Sequence, residues 1–312
     1  MIKYENTLRK VLKKKFNSLT NLAKKIYLPG FEGVPLYDVI VFFFRGIRKS
    51  SIISRANSLS FTFLLAIFPA IIFFFTLIPY IPIENLQITI METIRNALPD
   101  DAYNTVKSTI EDILEHHDSG LLSFGFIFAL FFSTSGMMGI MKAFNRSSHT
   151  LETRSDFKLR LISVLLVLII SMIVLLAMIF LIFTPIVLNY LVLNDILRSE
   201  FTYYLIMAGK WIIIMIMVFT AISFIYYLAP AKKRYFRFIS AGSTLATLLT
   251  LTFTYGFNYY IKHFSQYNKF YGSIGTLIIL MIWVNLNAIV LLIGFELNAS
   301  IYDAKKIKDR KK

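Results

Sequence analysis

The chain has 312 residues, of which 56% are hydrophobic, and it carries a net charge of +15 and no cysteine. The lack of cysteine excludes disulfide bonds, thiolate metal sites and cysteine nucleophiles. The apolar residues fall in continuous blocks of about 20, the length that a helix needs to cross a hydrocarbon core about 30 Å thick. We therefore expect an all-α, polytopic membrane protein.

The N-terminal region, 1–55, is predicted to lie on the cytoplasmic side and at the membrane surface. In residues 1–28, lysines alternate with Ile and Leu. This pattern indicates either a basic amphipathic helix attracted by anionic lipid or a partly ordered, solvated tail. A second amphipathic stretch, 35–50, has only about ten continuously apolar residues, too few to span the membrane. We predict that it forms an interfacial helix.

Six membrane-spanning helices are predicted next, within a transmembrane domain of residues 56–302. Their approximate bounds are 57–81, 120–142, 159–184, 203–229, 239–261 and 272–297. A helix suits each block because it satisfies the backbone hydrogen bonds of a single segment inside lipid. The remaining residues, 303–312, are predicted to form a basic cytoplasmic tail.

The distribution of Lys and Arg predicts which side of the membrane each loop faces. Of the 33 Lys and Arg residues, 27 fall in four segments on one side of the six spans. These segments are 1–55, 142–160, 230–238 and 303–312. Because positively charged loops stay in the cytoplasm, both chain ends are predicted to be cytoplasmic. The same bias explains the basic charge, so no nucleic-acid partner is expected.

The loop 82–119 is the largest segment predicted on the outer side. It carries eight acidic and two basic residues. Two amphipathic stretches, 83–98 and 102–115, are separated by Pro99-Asp100, and the aspartate is suited to cap the second helix. We predict an ordered helical hairpin over the outer mouth of the bundle. The alternative is a solvated hairpin with no role beyond topology.

Four segments, taken together in their order and spacing, carry a family resemblance. They are RANSLSFTFLLAIFP (55–69), STSGMMGIMKAFNR (133–146), YYLAPAKKR (226–234) and YGSIGTLIILMIWVNLNAIVLLIGFELNAS (271–300). The chain resembles the YihY/BrkB family of bacterial inner-membrane proteins, once labelled ribonuclease BN, over about residues 35–302. The resemblance implies a six-helix protein of the bacterial plasma membrane. Related members have been connected with lipid or lipopolysaccharide export and serum resistance, and the ribonuclease label is regarded as mistaken.

The side chains that hydrolytic chemistry requires are not clustered in the sequence. Metal-assisted hydrolysis needs grouped His, Asp or Glu side chains, whereas the four histidines are dispersed over loops and one span end. The glycine-rich loops that bind nucleotide phosphates and the nucleophile elbow of serine hydrolases do not occur either. We expect no metal, no cofactor and no enzymatic activity.

Ionisable and polar residues in or beside the spans are the candidate site, because such groups are costly in lipid and face a partner or a water-filled cavity. Arg55 and Glu296 are predicted to pair, directly or through a bound headgroup; the alternative is a structural clamp between helices. The candidate headgroup-binding residues are Arg55, Ser58, Ser60, Lys142, Asn145, Arg146, Asn285, Asn287 and Glu296. For the basic members, the alternative is a role in topology alone.

A stripe of polar residues at helical spacing along the fifth span predicts an interior path. It consists of Ser243, Thr247, Thr250, Thr254 and Asn258. The alternative is close packing of helices, since small and hydroxyl residues allow it and Thr can bond its own preceding turn.

Together these features predict movement of an anionic amphiphile, a lipid or lipid-linked envelope precursor, through a polar groove. The expected partners are anionic lipids of the inner leaflet, and no oligomeric state is predicted. One alternative is a non-transporting scaffold for envelope proteins. Another is an intramembrane enzyme or ribonuclease.

Overall fold

The computed structural model describes most of the predicted helical region. The described ranges are 22–49, 51–77, 119–147, 152–194, 200–231, 238–264 and 273–310, together with residues 91, 92, 95 and 107. Residues 1–21 and nearly all of the predicted outer hairpin, 82–119, therefore lie outside the described residues.

The described part of the chain contains seven α-helices. They are α1 (Leu36–Lys49), α2 (Ile52–Leu77), α3 (Ser119–Ser147), α4 (Asp156–Leu193), α5 (Glu200–Leu228), α6 (Ala241–Phe264) and α7 (Ser273–Arg310). The predicted all-α class is confirmed. The interfacial stretch 35–50 is helical as α1, whose apolar residues are concentrated on one side.

Among the described residues, four helices are long and apolar enough to cross a membrane. The qualifying stretches are Phe126–Arg146, Asp156–Leu188, Phe201–Leu228 and Leu277–Arg310, and α2 adds a shorter apolar stretch, Ile52–Ile67. A multi-pass membrane protein is thereby confirmed, whereas the number of six spans remains a prediction.

Helix α7 occupies the centre of the described bundle, since it contacts α1, α2, α3 and α6. The helices α3, α4, α5 and α6 pack in chain order, and α2 packs on α3. Large aromatic residues fill the middle. The rings of Phe144 and Phe295 stack at 4.0 Å, and Tyr226 meets Phe144 edge-on. These contacts join α3, α5 and α7.

Glycines mark the places where helices approach most closely. The closest contact is between α6 and α7, where a Cβ at Gly242 or at Gly294 would overlap backbone of the other helix. On α3, a Cβ at Gly136 would come within 3.3 Å of Phe63, and one at Gly139 within 3.2 Å of a Leu side chain of α2. Such contacts between small residues are the main way in which membrane helices associate.

Helices α4 and α5 expose large apolar side chains along most of their length. Leu168, Met172 and Ile179 of α4 and Trp211 and Ile216 of α5 are examples. In a protein of this class, these surfaces face lipid hydrocarbon, which requires no polar partner.

The C-terminal part of α7 packs against the N-terminal region. Phe31 and Val34 form a small buried cluster with Ile301 and Ala304. The Lys305 ammonium pairs with a carboxylate oxygen of Glu32 at 2.5 Å, and Lys308 donates to the Gly33 carbonyl at 2.7 Å. Residues 303–310 of the predicted basic tail form the last turns of α7.

Candidate functional site

A polar cluster joins α2 to α7. The amide nitrogen of Asn285 donates to Oδ1 of Asn57 at 2.8 Å and to Oγ of Ser60 at 3.0 Å. The Ser60 hydroxyl in turn donates to the Ala56 carbonyl at 2.6 Å. The structure thus brings together two of the predicted site residues, Ser60 and Asn285, and adds Asn57. Asn57 is exposed on the helix surface, which is a costly position for an amide in lipid unless it faces a polar partner or cavity.

A groove of about 510 Å³, here called the polar groove, begins at this cluster. Its lining residues come from the end of α1 and the first turns of α2. Three of the six are polar, although most of the surface that they present is apolar. They are Ile47, Ser51, Ile52, Ile53, Ser54 and Asn57. Because Asn57 belongs to both features, the polar cluster borders the polar groove.

A second groove of about 320 Å³, here called the apolar groove, lies further along α2, between α2, α3 and α7. Its lining is almost entirely hydrocarbon and aromatic. The residues are Phe63, Ala66, Ile67, Ser133, Trp283, Val284, Asn287, Ala288 and Leu291. The predicted site residue Asn287 is part of this wall, and its amide nitrogen donates to the Trp283 carbonyl at 2.8 Å.

Arg55 lines neither groove. It precedes Asn57 by two residues, a rotation of about 200° around a helix. Its side chain is only 6% exposed. The Nη1 group donates to the carbonyl of Ala143 on α3 at 2.7 Å, while Nε and Nη2 are buried and have no acceptor among the described residues.

Glu296 of α7 is buried beside α1. A Cβ at Gly46 would overlap its carboxylate, so the glycine provides the space in which this carboxylate lies. Glu296 and Arg55 attract each other electrostatically. Asp303 repels the Glu296 carboxylate, and Arg146 repels the Arg55 guanidinium. Arg55 thus donates its hydrogen bond to α3, and it interacts with Glu296 by electrostatic attraction.

Asn145 lies in a clamp of hydrogen bonds that joins the end of α3 to two loops. Its amide nitrogen donates to the Glu152 carboxylate, and its Oδ1 accepts from the backbone N–H of Ala231 at 3.0 Å. Arg154 donates to Glu152 through Nε at 2.8 Å and to the Ala229 carbonyl through Nη2 at 2.9 Å. The hydrogen bond from Arg154 lowers the pKa of Glu152 below its ordinary value. These bonds position Asn145 in a structural joint, away from both grooves.

The other predicted headgroup residues remain on the surface. Lys142 and Arg146 are exposed near the end of α3, and Ser58 is exposed on α2. None of these three lines either groove.

The predicted interior stripe divides into two parts. Ser243 and Thr247 are buried, and Thr247 donates to the Ser243 carbonyl of its own helix at 2.8 Å. Thr250 is half-buried, whereas Thr254 and Asn258 are exposed. Among the described residues, only the Ser243–Thr247 part of the stripe is therefore buried, and an interior path along the whole stripe remains a prediction.

Ser243 belongs to the start of α6. Its Oγ accepts from the Ser240 N–H at 3.1 Å, and the Ser240 Oγ accepts from the Ser243 N–H at 3.1 Å. This reciprocal arrangement caps the helix in the manner of a capping box. Asn298 of α7 reinforces it, since its amide nitrogen donates to the Ser240 Oγ at 2.9 Å and its Oδ1 accepts from the Gly242 N–H at 2.8 Å.

Sequence reasoning did not identify a second arginine that reaches into the bundle. Arg160 of α4 donates to Thr134 Oγ1 at 2.8 Å and to Ser135 Oγ at 3.3 Å, and its guanidinium lies 5.1 Å from the ring centroid of Phe131. Its only sequence signal is a basic residue one turn into an apolar span. That signal is typical of a residue that orients the protein in the membrane, so it does not single out a contact.

The sequence matches the family model described as Virulence factor BrkB over residues 43–312. The chain belongs to the BrkB family. The match includes the end of α1 and all of α2 to α7, so the resemblance carried by the four sequence motifs is confirmed. The matched residues 43–312 include the polar cluster, Arg55, Arg160 and Glu296.

Curated relatives resemble the chain over very different lengths. It is 31% identical over 262 residues to the putative ribonuclease-like protein YfkH of Bacillus subtilis (strain 168), covering 82% of this chain and 92% of that protein. It is 35% identical over 85 residues to a UPF0761 membrane protein of Vibrio atlanticus (strain LGP32), covering 27% of each. A UPF0761 membrane protein of Tolumonas auensis is 43% identical over 60 residues, 19% of this chain and 20% of that one. No solved structure matches the chain.

Proposed function

We propose that the protein binds an anionic amphiphile, a lipid or a lipid-linked envelope precursor, and moves it along α2 and α7. The observation that carries the proposal is the cluster of Asn57, Ser60 and Asn285, which lies between two grooves of different chemistry. Polar side chains at membrane depth are a sign of function, because hydrocarbon offers them no partner.

The two grooves match the two parts of an amphiphile. Their volumes, about 510 Å³ and about 320 Å³, fall in the range of about 300–1,000 Å³ typical of small-molecule sites. A polar headgroup has hydroxyl and amide partners in Ser51, Ser54 and Asn57. An acyl chain has apolar contacts with Phe63 and Leu291. The polar cluster is then the point at which headgroup and chain separate.

Charge favours an anionic headgroup from the cytoplasmic leaflet of a bacterial plasma membrane. With both chain ends in the cytoplasm, 27 of the 33 Lys and Arg residues face that leaflet, and each basic side chain near an anionic surface attracts it by about 1 kcal/mol. Lys142 and Arg146 are exposed on this side. Movement would be passive or coupled to an ion gradient, and since no bond is made or broken, the proposed role is non-enzymatic.

Transport in proteoliposomes tests the proposal. The purified protein is reconstituted with a fluorescent phosphatidylglycerol, and transfer between leaflets is followed by quenching of the outer leaflet. Asn285→Leu removes both inter-helix hydrogen bonds, and Ser133→Phe narrows the apolar groove. Both substitutions are expected to slow lipid transfer. The control is Thr252→Leu, at an exposed position of α6, and it is expected to leave the rate of transfer unchanged.

The alternatives give different results in the same assay. If the wild-type protein moves none of several anionic lipids, the proposal is wrong. A scaffold predicts that the groove variants are silent while deletions in 82–119 impair envelope assembly. The intramembrane enzyme or ribonuclease predicts metal-dependent cleavage of RNA or lipid by the purified protein.

A further inference from the structure

The Arg55 guanidinium is held at one corner only. Its Nη1 group donates to the Ala143 carbonyl at 2.7 Å. Its Nε and Nη2 groups are buried and have no acceptor among the residues that the structure describes. With the side chain 6% exposed, two charged N–H donors thus face the interior without a partner. Buried polar groups in native proteins are rarely left so, and the exceptions require an explanation.

The two unpartnered groups form one edge of the guanidinium. The N–H bonds of Nε and Nη2 point in parallel, which is the geometry that binds two oxygens of one carboxylate or phosphate. The Nη1 bond to α3 restricts the movement of the guanidinium. The unpartnered edge has the donor geometry that a bidentate oxyanion requires.

The charges around Arg55 are balanced between attraction and repulsion. Glu296, itself 3% exposed, attracts the guanidinium, and Arg146 repels it. Gly46 of α1 provides the space in which the Glu296 carboxylate lies. Arg146 is exposed, so the positive charge continues from the buried edge to the surface. Asp303 repels the Glu296 carboxylate, so the four charges sum to zero, and the case for an oxyanion rests on the two unpartnered N–H groups of Arg55.

We propose that the Nε–Nη2 edge of Arg55 is a binding subsite for one phosphate group and that Glu296 competes with this phosphate for the guanidinium. The subsite uses none of the residues that line the polar or apolar groove. It therefore extends the proposed function without depending on it. The same chemistry describes a free phosphate and the phosphate of a lipid headgroup.

Phosphate-dependent thermal stability tests the subsite in detergent micelles, where no transport is measured. Inorganic phosphate is titrated against chloride at constant ionic strength. Arg55→Lys keeps the charge but loses the two-pronged edge, and it is expected to raise the half-saturating phosphate concentration about tenfold. Glu296→Gln removes the competitor and is expected to lower it about fivefold. Lys158→Gln, an exposed cation on α4, serves as the control for non-specific binding to a basic protein.

A second titration with phosphatidic acid in mixed micelles distinguishes the two phosphate sources. Stabilisation by inorganic phosphate alone assigns a free phosphate, and stabilisation by phosphatidic acid alone assigns a lipid. Stabilisation by both confirms a phosphate subsite that accepts either source. If Arg55→Lys fails to fold, the proposal is decided by Glu296→Gln alone. A lower half-saturating phosphate concentration in that variant supports the subsite, because misfolding does not tighten binding. No stabilisation by either ligand, or equal affinity in the wild type and Glu296→Gln, would overturn the proposal and leave a buried water as the partner of the edge.

Discussion

Replacing Gly242 by alanine is expected to weaken the contact between α6 and α7. A Cβ at this position would lie 2.6 Å from the side-chain amide of Asn298 and would also overlap the backbone carbonyl of Gly294. A carbonyl within a helix cannot rotate away, so the two helices must separate. Separation also stretches the hydrogen bond from the Gly242 N–H to Asn298 Oδ1, now 2.8 Å.

The net loss of stability follows from three contributions. Overpacking a well-filled contact costs about 1–3 kcal/mol. Losing the hydrogen bond to Asn298 costs about 1 kcal/mol. Alanine gains about 1 kcal/mol over glycine in helix propensity. The free energy of unfolding of Gly242→Ala is therefore expected to fall by about 1–3 kcal/mol.

The matched control lies in the same helix. A Cβ at Gly256 meets nothing within 4 Å, so Gly256→Ala is expected to keep or raise the free energy of unfolding by up to about 1 kcal/mol. Unfolding in mixed micelles of dodecyl maltoside and SDS, followed by circular dichroism, measures both variants. Equal stability of Gly242→Ala and Gly256→Ala would refute the close contact between α6 and α7.

Three further substitutions test individual contacts by the same unfolding measurement. Tyr226→Phe removes the hydroxyl that donates to the Leu291 carbonyl at 2.7 Å and is expected to cost about 1 kcal/mol; unchanged stability would show that this bond contributes nothing. Arg160→Lys keeps the charge but loses the planar Nη1 donor to Thr134 and Ser135 and the aromatic contact with α3, for an expected loss of about 1 kcal/mol. The hydrogen bond from Arg154 is the main cause of the lowered pKa of Glu152. The ionised Glu152 therefore contributes fully to the free energy of unfolding above its unfolded-state pKa. This contribution is lost as the pH falls through its folded-state pKa. The wild type is expected to lose more stability than Glu152→Gln between about pH 6 and pH 3, and equal losses would contradict the clamp.

The helices could be predicted from the sequence because a membrane span is a continuous block of apolar residues. A block of about 20 apolar residues has few alternatives in lipid. Accordingly, α3 and α4 contain predicted spans, and α5 and α7 cover predicted spans to within one residue. The ends were harder to place. The predicted span 159–184 stops before Pro185, whereas α4 runs over Asp156–Leu193 with Pro185 inside it, because the mostly apolar residues 186–193 continue the helix.

The candidate site was predicted in kind but only partly in arrangement. Ser60 and Asn285 are 225 residues apart, and their contact depends on how far each helix is rotated about its axis, which hydropathy does not determine. Arg55 bonds to a backbone carbonyl, an acceptor that every residue carries and no motif marks. Ser243 fits a polar path and a helix cap equally well by spacing, and only its bonds with Ser240 distinguish them.

Helix α7 is longer than a membrane requires. Its 38 residues extend about 57 Å at 1.5 Å per residue, against a hydrocarbon core about 30 Å thick. The surplus turns hold Lys305 and Lys308, which are bound to Glu32 and Gly33. A single rigid rod, without an intervening hinge, thus joins the Asn285 end of the bundle to the N-terminal region. A tilt of α7 by a few degrees would therefore also displace residues 22–36. Movement within the bilayer and movement of the N-terminal region at the surface would then occur together.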